Sequence, residues 1–180
     1  GISFSSCKKA LEEAKGNEKL AHEILRKKGE DKAASLSIRT TNQGVIGSYV
    51  HTNAKIGVLV DIRCETDFVA KNEEFQTLAK DIAMHVAAMN PRWKMPEEVP
   101  AEILAKEREI WTAQLVNEGK PQAIIGKILD GKEKKFREEN SLLTQTFVKN
   151  PEITVGELIR SAVTKVGENI QLMRFVRFEI

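Results

Sequence analysis

A strand pattern that passes directly into a helix pattern constrains the fold of this chain more than any other feature. Residues 56–62 form an apolar, β-branched run, which is typical of a buried strand. Downstream, apolar residues recur at helical spacing, namely Phe75, Leu78, Ala79, Ile82, Val86 and Met89. Thr66-Asp67-Phe68-Val69 lies between the two patterns. The sequence therefore predicts a strand, a turn and an amphipathic helix in immediate succession.

The residues of this turn suit the start of a helix. The side-chain oxygens of Thr66 and Asp67 can accept hydrogen bonds from the amides of a first helical turn, and the helix dipole favours a carboxylate there. Phe68 has two interpretations. The pattern by itself favours a buried Phe68 that staples the helix to the core, because phenylalanine is more often buried than exposed. An exposed Phe68 would instead be available to a partner protein.

Most of the remaining chain alternates short strands with helices. Residues 44–51 and 55–63 are rich in β-formers and are separated by three turn residues, which predicts a hairpin. Helices are predicted after Pro100 and Pro121, and a strand over residues 142–149. In the last strand, one face is predicted to carry Ile170, Leu172, Val176, Phe178 and Ile180. These elements predict an α+β fold, with a small antiparallel β-sheet covered on one face by helices.

Two short helices are predicted before this core, over residues 6–14 and 17–27. Gly29 is predicted to end the second helix, because glycine adopts the left-handed conformation that follows many helices. Residues 30–43 are polar and rich in Ser, Thr and Asn, so they are predicted to form a linker.

Charge and cysteine content limit the classes of function. The chain has 28 basic and 26 acidic residues and a net charge of +2, so we expect no nucleic-acid partner. Cys7 and Cys64 form neither a Cys-x-x-Cys pair nor a disulfide framework, which favours a reducing compartment. No apolar run reaches the length of a membrane span. We therefore expect a soluble, intracellular protein without a membrane partner.

The candidate chemical motifs are weak. Residues 126–132 match the first positions of a P-loop, but Glu133 replaces the required Ser or Thr and the stretch lies on a predicted helix. The histidines lack the spacing of metal ligands: His22, His51 and His85. No motif for a catalytic nucleophile is found. We therefore expect no catalytic residue, no metal, no cofactor and no direct nucleotide binding, and the protein is not expected to be an enzyme.

Residues 64–75, Cys-Glu-Thr-Asp-Phe-Val-Ala-Lys-Asn-Glu-Glu-Phe, resemble the signature of the elongation factor Ts family. Members of this family are the guanine nucleotide exchange factors of elongation factor Tu. Further stretches are also similar to the family: residues 7–14, 117–121, 167–170 and 174–179. The resemblance extends over almost the whole chain.

This resemblance implies a small ubiquitin-associated-like helical module ahead of the α+β core. We assign residues 1–36 to the module, whose first helix is expected to be missing, and residues 37–180 to the core and dimerisation domain. The Thr66–Val69 segment occurs once, as in the short, single-core form of the family, which implies a homodimer. Val176 stands where some short forms have a cysteine, so no disulfide between subunits is expected.

The resemblance also implies a function, the release of GDP from elongation factor Tu during translation elongation. Phe68 would wedge between helices of the partner's GTPase domain and disturb its Mg²⁺ and phosphate site, while Asp67 would fix the orientation of the turn. Thr66 and Val69 would support the turn by capping and packing. Phe4 stands at the position of a family methionine and is implied as a further contact with elongation factor Tu.

A second function stays open at this point. A ribosome-associated or chaperone-like interaction adaptor without exchange activity could have the same helical module and α+β core. We expect a location in the bacterial cytoplasm, with the mitochondrial matrix and the plastid stroma left open.

Overall fold

The computed structural model describes residues 4–180, and its mixture of helices with a small antiparallel sheet confirms the predicted α+β fold. The helices are α1 (Phe4–Glu13), α2 (Glu18–Leu36), α3 (Asp67–Ala70), α4 (Glu73–Met89), α5 (Ala101–Asn117), α6 (Gln122–Glu139) and α7 (Val155–Val166). The strands are β1 (Gln43–Val50), β2 (Ile56–Cys64), β3 (Thr146–Phe147), β4 (Asn150–Thr154) and β5 (Gln171–Glu179). Residues 1–3 of the predicted helical module lie outside the described residues.

The chain divides into two compact units. The first contains the residues up to Ala87 together with Glu157–Ile180, and the second contains Ala88–Gly156. The predicted assignment of residues 1–36 and 37–180 to module and core is a different division, and it stays a prediction.

The first unit is built on a three-stranded antiparallel sheet in the order β1-β2-β5. The predicted hairpin is confirmed, with β1 paired to β2 from Gln43 opposite Cys64 to Val50 opposite Gly57. Helix α4 crosses the sheet at Gly47, where an added Cβ would lie 2.8 Å from the carbonyl oxygen of Ala79. The core between them is formed by Val58, Val60, Ile62, Phe75, Ile82 and Val86, all at most 2% exposed.

A β-bulge at Met173 interrupts the alternation of side chains along β5. Ile62 pairs with Leu172, whereas the neighbouring Asp61 pairs with Arg174. The extra residue reverses the alternation of side chains, so Leu172 lies on the face covered by helices and Val176 lies on the opposite face. The prediction that the apolar residues of this strand share one face is therefore wrong.

Helices α1 and α2 pack together through a small cluster of alanines with two larger residues: Ala10, Ala14, Ala21, Ile24 and Leu25. Asn17 caps α2, since its side-chain oxygen accepts a hydrogen bond from the Leu20 amide at 3.1 Å. The two predicted helices are thus confirmed.

Helix α2 continues to Leu36, so the predicted end at Gly29 and the predicted linker from residue 30 are wrong. Ala33 and Leu36 are buried and continue the apolar face of the helix. The Gly29 carbonyl accepts a hydrogen bond from Thr164 Oγ1 at 3.1 Å, and an added Cβ at Gly29 would lie 3.6 Å from the Thr164 side chain. Gly29 therefore marks the close approach of α2 and α7.

The second unit contains the antiparallel helices α5 and α6, which begin directly after Pro100 and Pro121 as predicted. They pack through Leu115, Ile125 and Leu129 with Trp111 and Ile128. The predicted strand over residues 142–149 is wrong except for its two-residue segment β3, which pairs with β4. The amides of Leu142 and Leu143 donate instead to the carbonyls of Trp93 and Lys94, which keeps this segment out of a ladder.

Candidate partner-binding surface

Phe68 is the second residue of α3 and is 79% exposed. Its neighbours Val69 and Ala70 are buried. Successive residues of a helical turn point in different directions, so the burial of Val69 and Ala70 leaves Asp67 and Phe68 on the outer side. The interpretation of Phe68 as a staple to the core is therefore wrong. The structure presents a large aromatic ring to solvent at the end of the central strand.

Thr66 is the N-cap of α3. Its backbone is extended, with φ −120° and ψ 154°, and its Oγ1 accepts a hydrogen bond from the Val69 amide at 3.4 Å. The same hydroxyl donates to Glu168 Oε1 at 2.6 Å. Thr66 therefore supports the turn as predicted, and its hydroxyl also links the turn to the residues that follow α7.

Asp67 lies on the outer side of the turn, beside Lys71. Lys71 Nζ donates to Asp67 Oδ2 at 2.8 Å, and this hydrogen bond is the main cause that lowers the pKa of Asp67 below its ordinary value of 3.8. Asp67 is therefore a carboxylate at neutral pH, and it can accept hydrogen bonds from a partner close to Phe68.

The base of the turn is held by two glutamates, which local sequence patterns did not identify. Glu168 Oε2 accepts hydrogen bonds from the Glu65 and Thr66 amides, each at 3.1 Å. In return, Glu65 Oε1 accepts a hydrogen bond from the backbone amide of Asn169 at 2.7 Å. We call Glu65, Thr66, Glu168 and Asn169 the clasp. The signal available in the sequence was the similarity of residues 167–170 to the family, but it assigned no contact to Glu168.

Phe4 lies on α1 rather than on the turn, and it is 86% exposed. Together with Cys7 and Leu11 it lines a shallow, open groove along α1. The predicted site residues thus lie on two elements: α3 with its cap brings Thr66, Asp67, Phe68 and Val69 together, and Phe4 is presented separately.

The face of the three-stranded sheet opposite α4 is also apolar and exposed. Its apolar residues, between 40% and 67% exposed, are Ile46, Val50, Leu59, Val176 and Phe178. On the same face, Arg63 and Arg174 form ion pairs with Asp61, and the hydrogen bond from Arg63 is the main cause that lowers the pKa of Asp61. We call this surface the open face.

Among residues 4–180, no group of three or more His, Cys, Asp and Glu side chains could hold a metal ion.

The thiol of Cys64 lies behind the turn and donates to the Thr66 carbonyl at 3.2 Å. Burial, assisted by the charge of Glu168, raises the pKa of this thiol from 9.0 to about 11. It is therefore protonated at neutral pH and is a poor nucleophile. Within the described part of the chain, the helices are too short or too polar to cross a membrane.

Comparison with known proteins gives one consistent result. A family model described as "Elongation factor TS" matches residues 6–180. A protein named elongation factor Ts from Thermosipho melanesiensis is 53% identical over 180 residues, which cover 100% of this chain and 92% of the relative. A protein of the same name from Fervidobacterium nodosum is 51% identical, and the match covers 100% of this chain and 91% of the relative. The elongation factor Ts from Carboxydothermus hydrogenoformans is 50% identical, and the match covers 100% of this chain and 83% of the relative.

Proposed function

This chain belongs to the elongation factor Ts family, and from that premise we propose that it promotes the release of GDP from elongation factor Tu during translation elongation. The observation that carries the proposal is the exposed ring of Phe68 on a turn whose backbone is held by a side-chain cap and by the clasp. An exposed aromatic residue on a fixed backbone is suited to act as an anchor in a partner's pocket.

The coupling between two ligands explains how such an anchor would release a nucleotide. If the chain binds elongation factor Tu more tightly when GDP is absent, GDP must bind more weakly by the same factor when the chain is bound. A ten-thousandfold effect corresponds to about 5.5 kcal/mol of differential binding. One buried aromatic anchor with its surrounding contacts is of the right magnitude to supply this free energy.

The proposed contacts are those of the turn and of α1. Phe68 enters the GTPase domain of elongation factor Tu and disturbs its Mg²⁺ and phosphate site. Asp67 accepts hydrogen bonds beside it, and Thr66 and Val69 hold the turn in shape. Phe4 contributes a second aromatic contact from α1, within the proposed module of residues 1–36. In this role the chain changes no covalent bond and needs no cofactor.

We further propose that the open face joins two copies of this chain into a homodimer. Its apolar residues extend across all three strands of the sheet, which differs from the isolated apolar residues common on monomer surfaces. A two-fold axis requires only one self-complementary surface, and two sheets can pack face to face through their apolar side chains. By analogy with its bacterial relatives, the protein acts in the cytoplasm.

Sedimentation velocity tests the dimer. Wild-type protein is expected to sediment as a dimer, and Phe178→Asp as a monomer, since the substitution places a charge in the apolar contact. Ile124→Asp is a matched control, because Ile124 is an exposed apolar residue on α6 and is not part of the three-stranded sheet. A monomeric wild type, or equal loss of the dimer in both variants, contradicts the proposal.

The exchange activity is tested by loading elongation factor Tu with a fluorescent GDP analogue and chasing with excess GDP. Catalytic amounts of this chain are expected to accelerate release of the analogue. The adaptor alternative instead predicts a complex with a partner but an unchanged release rate. Binding to elongation factor Tu without acceleration would therefore contradict exchange and favour the adaptor.

A further inference from the structure

The Phe68 turn, residues 66–70 with helix α3, is too short to be stable through its own hydrogen bonds. Helix α3 has four residues, Asp67–Ala70, which is a single turn. Helix nucleation is unfavourable, and helices this short are not stable in isolation. The direction in which Phe68 points must therefore be determined by contacts with other parts of the first unit.

Glu168 provides several of these contacts. Its carboxylate accepts three hydrogen bonds from the turn, from the Glu65 amide, the Thr66 amide and the Thr66 hydroxyl, at 3.1, 3.1 and 2.6 Å. Hydrogen bonds to an ionised acceptor are stronger than those between neutral groups. All three donors lie immediately before α3, so one side chain binds the chain at the point where the helix begins.

The position of Glu168 is itself determined by the end of α7. Gly167 has φ +81°, a left-handed conformation that favours glycine, and its amide donates to the Val163 carbonyl at 2.8 Å. This turn brings Glu168 away from the helix axis towards β2. The Asn169 backbone amide then donates a hydrogen bond to Glu65 Oε1. The clasp is thus reciprocal, because each of its two segments supplies both an acceptor and a donor to the other.

Asn169 extends the clasp to the end of α2. Its side chain is 3% exposed, and its Nδ2 donates to the carbonyls of Ser37 and Arg39 at 3.2 and 2.7 Å. Arg39 also pairs with the Glu65 carboxylate at 3.5 Å. The Phe68 turn and the chain that leaves the α1–α2 pair therefore share one anchor point.

We propose that Glu168 is a positioning residue for the Phe68 turn: it sets the path of Glu65 and Thr66 so that Phe68 is presented in the orientation that exchange requires. This inference rests on the proposed function. Glu168 itself does not contact the partner. It acts through the backbone of the turn, so its removal is expected to change the orientation of Phe68.

The first experiment measures amide hydrogen exchange by NMR in wild type, Glu168→Ala and Glu168→Gln. In Glu168→Ala, the Glu65 and Thr66 amides lose their acceptor and are expected to exchange at least about tenfold faster, as loss of a hydrogen bond to a charged group implies. In Glu168→Gln, the remaining carbonyl oxygen can accept both amides, so most of the protection is expected to return.

Glu74→Gln is the matched control. Glu74 is also a glutamate that connects two elements of the first unit, since it pairs with Lys165 between α4 and α7, but its carboxylate is bound to α7 and not to the turn. Exchange at the Glu65 and Thr66 amides is expected to be unchanged in this variant. The free energy of unfolding, measured for every variant, separates a local effect on the turn from a general loss of stability.

The second experiment measures release of the fluorescent GDP analogue from elongation factor Tu over a range of concentrations of each variant. Glu168→Ala is expected to lower the maximal stimulated rate about tenfold, with a half-saturating concentration within threefold of wild type, because the rest of the interface still forms. Glu168→Gln is expected to restore the rate to within about threefold of wild type.

The proposal is overturned if Glu168→Ala is folded and leaves the turn amides unchanged, or if its maximal rate stays within twofold of wild type. Should Glu168→Ala fail to fold, Glu168→Met decides, because it keeps the length of the side chain but removes the acceptor: a rate and protection no different from Glu74→Gln overturn the proposal, and a parallel loss of both supports it. If wild type itself does not accelerate release, the proposed function fails, and amide exchange alone decides whether Glu168 positions the turn.

Discussion

Phe68 on α3 and Phe75 on α4 are seven residues apart, and one lies in solvent while the other lies in the core. Phe68 is 79% exposed, whereas Phe75 is 1% exposed. Both residues lie near the start of a helix, and both helices follow the same central strand. Only the second is part of a repeating apolar pattern, which continues through Leu78, Ala79 and Ile82. The difference shows that helical periodicity, rather than the hydrophobicity of one residue, determines which ring enters the core.

The two segments also differ in what holds them. Helix α4 is held by apolar burial along a complete face. Helix α3 has two buried residues and depends on a cap and on the clasp, so polar contacts leave its aromatic residue available. We expect substitutions in α4 to affect stability, and substitutions on the outer side of α3 to affect the partner.

The largest expected effect on stability is that of Phe75→Ala. Removal of a fully buried phenylalanine side chain leaves a cavity, and the expected loss in free energy of unfolding is about 3–5 kcal/mol. Urea unfolding followed by circular dichroism measures it. Phe75→Leu is the control and should cost clearly less. A loss below about 1 kcal/mol for Phe75→Ala would mean that the Phe75 ring, like the Phe68 ring, contributes little to the stability of the core.

Gly47→Ala tests how α4 is seated on the sheet. The new Cβ would lie 2.8 Å from the carbonyl oxygen of Ala79, and such overpacking is expected to cost about 1–3 kcal/mol. The control is Gly57→Ala in the neighbouring strand, where an added Cβ meets nothing within 4 Å. Thermal unfolding of both variants gives the comparison, and equal midpoints would argue against the close approach of α4 to β1.

Thr66→Ala tests the cap of α3. Loss of an N-cap side chain is expected to cost about 1 kcal/mol, and here it also removes a donor to Glu168. Thr66→Ser retains the hydroxyl and is expected to keep most of this stability. Chemical unfolding of the two variants in parallel measures the difference. If Ser and Ala behave alike, the hydroxyl is not what supports the turn.

The smallest expected effect concerns the pH dependence of Asp67. Because its pKa is lowered in the folded protein, its contribution to stability is fully present above about pH 4 and is lost as the pH falls through the lowered pKa. The contribution is small, since both partners are exposed. An NMR titration of the Asp67 carboxyl carbon should give a pKa below 3.8 in wild type. In Lys71→Met the pKa is expected to rise, and an unchanged pKa would show that Lys71 is not its cause.

The elements of the fold that depend on local pattern were predictable from the sequence. The hairpin, α4 and the helices after Pro100 and Pro121 each carry a repeat or a boundary residue that acts locally. The errors arose where a distant contact changes the meaning of a residue. Helix α2 continues past Gly29, which lies against Thr164, to the buried Ala33 and Leu36. The bulge at Met173 moves the apolar residues after it to the opposite face of the sheet.

The site shows the same limit. The capping role of Thr66 followed from its residue type, whereas the exposure of Phe68 could not be decided from spacing alone. The contact of Glu168 with Glu65 and Thr66 joins residues about a hundred positions apart. No local pattern in the sequence encodes such a contact, because it depends on how α7 and β2 are brought together.

If Phe68 binds the partner and does not stabilise the core, Phe68→Ala separates the two roles in one experiment. In a single preparation of Phe68→Ala, we would measure both the stimulated release of GDP from elongation factor Tu and the free energy of unfolding. We expect stimulated release to fall about a hundredfold or more, as for a dominant anchor, with stability within about 0.5 kcal/mol of wild type. Wild-type release, or a loss of stability comparable to that of Phe75→Ala, would contradict this role of Phe68.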